Sequence, residues 1–506
     1  MPVSDAPRRN LRWMALGAGV VMGAGPAPLS LWFVALPACA VLLWVLGQGR
    51  SVRHAAGLGW SGGLGYISAT HFWIVEPFFV DPWSTGWMAP FALIGLASGL
   101  ALIWSAAAAL AFRVGSGPRL RALALVPALT LAEMSRAYLF TGFPWSPIGT
   151  LLLETPVAQL AALGGVHGLT FFALAVLGVP LALSGRGRVA AAGLSIAVVA
   201  AAWTWGAGRI AATPAETSSI VRIVQPNAAQ ELKWDPQYIP VFFNRALEMT
   251  AARDGDAAPD MIVWPETSVP TLLGYADSMT DAMRDAAGGA PLIFGVQRRD
   301  DLSYFNSLAV IGPGAGFPQV YDKRHLVPFG EYVPFGDLLT RVGIGSFAST
   351  RGYGFAPGPE GQPLLDMGAL GKGLPLICYE GIFPQDLRSF PGRADWIVLI
   401  TNDAWFGTLA MPQSHLDHAR MRAIENGLPL IRSANTGISA MIDASGQVTA
   451  RLGLNETGYL DAALPGARAE TPYARLGDWP VLLLALLGLT GTGLARLRID
   501  GGARAA

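Results

Sequence analysis

The amino-acid sequence predicts an α/β domain of about 250 residues inserted late in a bundle of about eight transmembrane helices. Three observations predict it. Of 506 residues, 52% are hydrophobic and only 14% charged, against roughly a quarter charged in soluble domains. The apolar residues gather in long stretches before residue 207 and again after residue 479. Between them lies a polar region where β-branched runs alternate with helical patterns, the mark of layered sheets covered by helices.

Residues 11–47 are almost uncharged and too long for one crossing of roughly 20 residues. The turn Gly25-Pro26-Ala27-Pro28 divides them into two spans. Further spans are predicted near 55–75, 88–112, 120–135, 157–183 and 189–207, and the last at 479–495. A cleaved signal peptide is the competing reading of the basic residues at 8–12 ahead of an apolar core. Against it, a second apolar segment follows at once, with no clear cleavage site between the two.

Arginine placement tests the count. Arg8, Arg9 and Arg12 precede span one, and Arg50 and Arg53 separate two from three. Arg113, Arg119 and Arg121 separate four from five, and Arg186 and Arg188 separate six from seven. Arg496, Arg498 and Arg504 follow span eight. The alternate short loops, around 76–87 and 136–156, hold a single basic residue, Arg136. Basic residues mark cytoplasmic loops, so both termini are expected inside and the polar region outside. The expected division is a bundle of about seven helices over 1–207, an extracytoplasmic domain over 208–478, and a final helix with a short tail over 479–506.

Within the polar region, β-branched runs recur at 220–224, 261–264, 291–296, 308–311, 374–378, 396–400 and 428–431. Helical patterns lie at 241–253, 278–287 and 415–426. The stretch 343–358, rich in Gly, Ser and Phe, is expected to be a loop.

There are two cysteines. Cys39 sits in an apolar run and Cys378 in the polar half, so no disulfide framework is expected. Cys378 ends the run Leu374-Pro375-Leu376-Ile377, and strand ends are where α/β enzymes hold nucleophiles. A cysteine taken at random is more often structural. Here the flanking Tyr379 and Glu380 make the position polar, and an unpaired thiol outside the cytoplasm is open to oxidation. A thiol with a pKa of about 8.5 is mostly protonated at neutral pH and needs a base or a cation nearby. Glu266, in Val263-Trp264-Pro265-Glu266-Thr267, ends another run and is placed to accept the thiol proton. Lys323, in the stretch from Tyr321 to Glu331, offers a fixed cation for a thiolate or an oxyanion. Each alone reads as a solvated surface residue. Lysine is scarce, however: only Lys233, Lys323 and Lys372 occur, and a lysine kept among so many arginines hints that a compact ammonium is needed.

Together Glu266, Lys323 and Cys378 resemble the Glu–Lys–Cys set of the nitrilase (carbon–nitrogen hydrolase) superfamily, in the same order and on matching strand ends. The local sequences go further and look like those of the apolipoprotein N-acyltransferase family. They are Trp264-Pro265-Glu266, Tyr321-Asp322-Lys323-Arg324-His325-Leu326-Val327-Pro328-Phe329-Gly330-Glu331, Ile377-Cys378-Tyr379-Glu380 and Thr401-Asn402-Asp403-Ala404-Trp405-Phe406-Gly407. Gln225-Pro226-Asn227, followed by Lys233-Trp234-Asp235, is similar too. The resemblance covers essentially the whole chain. It implies a nitrilase-like α-β-β-α sandwich on the periplasmic side of a Gram-negative cell inner membrane. The implied reaction moves a fatty acyl chain from a phospholipid, via a Cys thioester, to the α-amino group of the N-terminal diacylglyceryl-cysteine of apolipoproteins, the last step of lipoprotein maturation. By the same resemblance Cys378 is the nucleophile, Glu266 the general base and Lys323 the electrostatic stabiliser. Glu331 is an accessory glutamate, and Trp234, Tyr379 and Glu380 are supporting residues. No cofactor or metal is implied; the partners are a phospholipid donor and diacylglyceryl-modified apolipoproteins, and the protein is expected to be a monomer. Some relatives fuse a sugar-transferase domain at the C-terminus, for which the few residues after span eight leave no room.

Other classes fit less well. A formal net charge of zero, from 35 basic and 35 acidic residues, gives no footing for nucleic acid. The histidines are scattered, and His415 with His418 read as helix decoration rather than as a metal pair. Charges inside the spans are scarce, which disfavours a proton-coupled transporter. The outer-loop aromatics Phe72, Trp73, Phe78, Phe79, Trp83, Phe143 and Trp145 suit a membrane interface. The nearest rival is a membrane-anchored amidase that releases its acyl group to water. A non-catalytic scaffold with a relic domain is disfavoured by the intact Glu266, Lys323 and Cys378.

Overall fold

The computed structural model describes residues 8–212, 214–253, 258–312, 319–334 and 354–505, so residues 343–353 of the expected loop lie outside the described residues. The chain divides into two compact units. One comprises Met1–Ala212, Leu409–Asp417 and Glu470–Ala506; the other comprises Thr213–Thr408 and His418–Ala469.

In the first unit, long helices run over Arg8–Met22, Trp32–Gly47, Val52–Thr70, Ala89–Val114, Gly117–Tyr138, Ala161–Ala182, Gly185–Ala211 and Trp479–Ala505. Helices therefore stand at all eight positions predicted from the apolar stretches. Length and composition qualify four of them, among the described residues, to cross a bilayer: Pro82–Val114, Pro156–Ala182, Gly185–Ala211 and Trp479–Ile499. The others fall short for identifiable reasons. Arg8–Met22 and Trp32–Gly47 have only 15 and 16 residues, under the roughly 20 a crossing needs. Val52–Thr70 dilutes its apolar residues with glycine, serine, Arg53 and His54. Gly117–Tyr138 carries Arg119, Arg121, Glu133 and Arg136.

Small residues let two of these helices touch. A Cβ on Gly19 would stand 2.2 Å from the Gly62 carbonyl oxygen, and one on Gly65 would stand 2.2 Å from that of Leu16. Close backbone approach of this kind is how helices associate where no hydrophobic drive separates them from lipid.

Arg136, read from sequence as a loop charge, lies inside a helix and is buried. Its Nη1 donates to both Glu133 oxygens at 3.1 and 3.0 Å, and its Nη2 donates to the Trp145 carbonyl at 2.7 Å. Trp104 Nε1 adds a hydrogen bond to Glu133 Oε1 at 2.6 Å. A charge paired in this way is one that burial tolerates, and it clamps the segment after Tyr138 onto the bundle. The outer-loop aromatics also divide. Trp73 and Trp145 are buried with ring centres 4.9 Å apart, whereas Trp83 and Phe79 are exposed.

The second unit holds strands β1 (Glu216–Gln225), β2 (Met261–Val263), β3 (Leu292–Asp300), β4 (Ser303–Ile311), β5 (Gln319–Asp322) and β6 (Leu365–Asp366). It continues with β7 (Lys372–Ile377), β8 (Trp396–Thr401), β9 (Leu430–Ala434), β10 (Ser439–Ile442), β11 (Val448–Leu452) and β12 (Gly458–Pro465). They form two six-stranded sheets, in the orders β12-β1-β2-β3-β4-β5 and β11-β10-β9-β8-β7-β6. Each has a parallel centre, β1-β2-β3 in one and β7-β8-β9 in the other. Strands β7 and β8 are apolar almost throughout, as expected where both faces of a parallel sheet are covered. The sheets lie face to face: Ser433 Oγ of β9 donates to the carbonyls of Val224 and Val263 at 3.2 and 3.3 Å. On the outer side of the first sheet, helices Ile239–Ala251 and Asp277–Ala287 bury Phe243, Ala246, Met283 and Ala287 against Ile262, Trp264 and Phe294. This is the expected two-sheet α/β fold. Its topology brings several chemically active residues to the carboxyl ends of strands, where open α/β sheets hold their ligands.

Candidate active site

Cys378 follows β7 directly and opens the 3₁₀ turn Cys378–Ile382. Its φ of 49° lies in the left-handed region, which costs a non-glycine residue about 1–2 kcal/mol. A strained strand-to-helix turn is a known way to lift a nucleophile clear of a sheet. Glu380 holds this turn. Its Oε2 accepts from the Ile377 amide at 2.8 Å. Its Oε1 accepts from the Tyr321 hydroxyl at 2.8 Å and from the amides of Arg324 and His325 at 2.8 and 3.2 Å. Glu380 thus ties the segment after β5 to the end of β7. Burial pushes its carboxyl up to about 6, against the pull of the Ile377 and Arg324 amides, the Lys323 charge and Tyr321. Tyr379 is buried edge-on to Phe383, with ring centres 4.9 Å apart, and lies near His325.

Glu266 stands two residues past Trp264 on a turn that lies hard against β3. A Cβ on Gly295 would come within 2.5 Å of Glu266 Cα and 2.4 Å of the Thr267 nitrogen, so only glycine fits there. The carboxylate is held from both sides. Asn306 Nδ2 donates to Oε1 at 2.7 Å, and the Asn402 amide donates to Oε2 at 2.7 Å. Lys323, just after β5 and 1% exposed, sits 3.6 Å from Glu266 Oε1 and 2.9 Å from Glu331 Oε1. Asn306 also donates to Glu331 Oε1, at 3.0 Å. The Val327 amide donates to Glu331 Oε2 at 2.8 Å, and the Glu331 amide returns a bond to the Val327 carbonyl at 2.8 Å. The Pro-Phe-Gly turn between them therefore acts as a closed clip that aims Glu331 at Lys323.

The charges act on one another. Burial alone would pull the Lys323 ammonium down; Glu331, Glu266 and Cys378 outweigh it and hold the group above its ordinary value, so it stays a cation. Burial and the Glu266 charge push the Cys378 thiol up, while Lys323 and a hydrogen bond with Thr401 pull it back only in part. The resting group is a thiol. Attack then requires a base that takes the proton as the sulfur bonds, the task a carboxylate at this position can perform. Thr401 is itself fixed: its hydroxyl donates to Asp403 Oδ1 at 2.8 Å, and Asp403 pairs with the buried Arg432 at 2.5 Å.

The structure joins Glu266, Lys323 and Glu331 by direct contact and couples Cys378 to the first two. Tyr379 and Glu380 flank the thiol. Trp234 is 45% exposed and shares a pocket wall with Glu266. Sequence reasoning missed Asn306, which bridges both carboxylates, and the Asn402 amide. Asn306 left a faint trace, since it and Ser307 interrupt an apolar run with two adjacent polar residues. Among the described residues no cluster of His, Cys, Asp and Glu suits a metal ion.

Residues 18–179 match the family model of the apolipoprotein N-acyltransferase N-terminal domain, and residues 189–473 match that of carbon-nitrogen hydrolase. A protein named apolipoprotein N-acyltransferase from Bradyrhizobium diazoefficiens is 38% identical over 502 residues, covering 94% of this chain and 93% of its own. The chain belongs to the apolipoprotein N-acyltransferase family. The family's namesake from Caulobacter vibrioides is 37% identical over 468 residues, covering 89% of this chain and 87% of its own. Among solved structures, a carbon-nitrogen hydrolase from Helicobacter pylori is 18% identical with a TM-score of 0.38, covering 49% of this chain and 89% of that one. Membership makes the protein an acyltransferase whose second unit is a carbon–nitrogen hydrolase domain.

Proposed function

We propose that this acyltransferase moves a fatty acyl chain from a membrane phospholipid, through a thioester on Cys378, to the α-amino group of the N-terminal diacylglyceryl-cysteine of an apolipoprotein. The observation that carries the reading is the buried Glu266–Lys323–Glu331 cluster coupled to the Cys378 thiol. It lies in a chain aligned over 94% of its length with a protein named for that activity.

In the first half-reaction Glu266 takes the Cys378 proton as sulfur attacks the ester carbonyl carbon of the phospholipid. Lys323 stabilises the oxyanion that forms. The ester C–O bond then breaks, Glu266 returns the proton to the departing oxygen, and a lysophospholipid leaves. In the second half the α-amino group attacks the thioester carbonyl, Glu266 accepts the N–H proton, and the C–S bond breaks as sulfur regains it. Glu331 keeps Lys323 charged and in place. Glu380 and Tyr379 hold the thiol turn, and Trp234 borders the pocket. A membrane-anchored amidase would share the first half but give its acyl group to water. With a diacylglyceryl-cysteine peptide present, the expected product by mass spectrometry is the N-acylated peptide. Free fatty acid with an unmodified peptide is the result that favours the amidase.

The membrane part of the proposal is an eight-span inner-membrane monomer. The bundle covers 1–207 and 479–506, the catalytic domain over 208–478 is periplasmic, and both termini are cytoplasmic. Within the helical unit the basic connections meet at one end: Arg121 donates to the Gly49 carbonyl and Arg496 to that of Arg113. Arg136 is withdrawn from the opposite loops by Glu133. In a Cys39→Ala background on intact spheroplasts, Gly208→Cys is expected to react with a membrane-impermeant maleimide and Gly502→Cys is not. A Cβ at Gly208 meets nothing within 4 Å, so that probe is tolerated. The reverse labelling pattern contradicts the topology.

A further inference from the structure

Lys233 plays no part in the chemistry above, yet it is buried beside it. The residue is 8% exposed, and its Nζ donates to the backbone oxygen of Glu266 at 3.3 Å. An ammonium carries three donors, and this contact uses one. No carboxylate pairs with it among the described residues, whereas buried charges are ordinarily paired. The other neighbour is the Trp234 ring, whose centre lies 5.9 Å from Nζ. The side chain forms part of the wall of a pocket whose lining includes the apolar Trp234, Phe242 and Phe243 and the polar Glu266, Ser268 and Asn435.

A mainly apolar pocket with a single under-used ammonium suits an amphiphile that carries an anion close to its apolar part. We propose that Lys233 sets donor specificity by binding the phosphate of the phospholipid acyl donor, while the surrounding aromatic and aliphatic side chains take apolar surface of the same lipid. This rests on the phospholipid-donor reading above. The contact with the Glu266 backbone fixes the geometry: a phosphate held at Nζ brings its attached glycerol ester to the residue that receives the thiol proton. Burial pulls the Lys233 ammonium down to about 8, opposed by the Glu266 charge, so it is still mainly a cation at neutral pH.

The bland alternative is that Lys233 only props the Glu266 loop. The two readings separate when donors with and without phosphate are compared. Thioester formation on the purified full chain in micelles is measured with a phospholipid and with a diacylglycerol bearing the same acyl chains. The wild type should prefer the phospholipid, in kcat/KM, by about 10- to 100-fold, the scale of one charge-assisted hydrogen bond. Lys233→Met should erase most of that preference, and Lys233→Arg, which keeps a cation, should retain part of it. An unchanged preference in Lys233→Met overturns the proposal, whether both rates fall together, as a prop for Glu266 would require, or both persist. If Lys233→Met fails to fold, a wild type without preference, or a Lys233→Arg that has lost all of it, does the same. Millimolar inorganic phosphate should not compete with the phospholipid; if it does, the site takes free phosphate and the lipid assignment is wrong. A wild type that forms no thioester from either lipid contradicts the thioester mechanism itself, which keeps the two failures apart.

Discussion

Lys323→Met is expected to abolish measurable acyl transfer and to destabilise the domain by about 3–5 kcal/mol, the cost of removing one partner from a buried ion pair. The ammonium is 1% exposed and stands 2.9 Å from Glu331 and 3.6 Å from Glu266. Without it two buried carboxylates face each other, joined only by the amide of Asn306. Lys323→Arg separates stability from chemistry. It restores a cation, so the melting temperature should recover in part. Its planar fork cannot occupy the compact site between two carboxylates already fixed by the Val327 and Asn402 amides. Acylation should therefore stay about 10²–10³-fold down, the scale of a lost oxyanion donor. Near-normal turnover in Lys323→Arg would show that any cation serves and that the scarcity of lysine misleads.

Glu266→Gln is expected to slow acylation by about 10²–10⁴-fold, the range for a positioned base, while the domain stays folded. A modest fall in melting temperature should accompany it. Every partner of the two Glu266 oxygens is a donor: Asn306 Nδ2, the Asn402 amide and Lys323 Nζ. Whichever way the glutamine amide turns, its NH₂ meets a donor, and one buried bond becomes an opposition costing about 1–3 kcal/mol. Thermal melts beside single-turnover acylation check both parts. A variant that acylates within a few-fold of wild type would remove Glu266 from the base role.

How far the sequence foretold this site depends on how local each signal is. Cys378 and Glu266 were legible because each ends or follows an apolar run, and the run with its boundary lies within a few residues. Lys323 was legible because lysine is scarce in the chain and this one sits in a stretch rich in Pro, Phe and Gly. Asn306 was not: its partners Glu266 and Glu331 are 40 and 25 residues away, and only the strand order places β4 between them. Glu380 was legible as a polar neighbour of the thiol. Its role as an anchor was hidden, because three of its four bonds reach Tyr321, Arg324 and His325. In the helical unit the apolar stretches located every long helix, since burial in lipid or protein writes the same pattern. For the same reason they overstate what hydropathy alone can say about crossing. Gly117–Tyr138 keeps Glu133 and Arg136 in its interior by pairing them, and helices as short as Arg8–Met22 rely on close packing through glycine.

The central claim is that the acyl chain rests on Cys378 between donor and acceptor. Intact-mass analysis of the purified protein after exposure to phospholipid alone tests it most directly. The account predicts a gain of one acyl mass, removable by hydroxylamine and absent from Cys378→Ala. An unmodified wild-type protein that nonetheless completes transfer once acceptor peptide is added would contradict it and require direct transfer from lipid to amine.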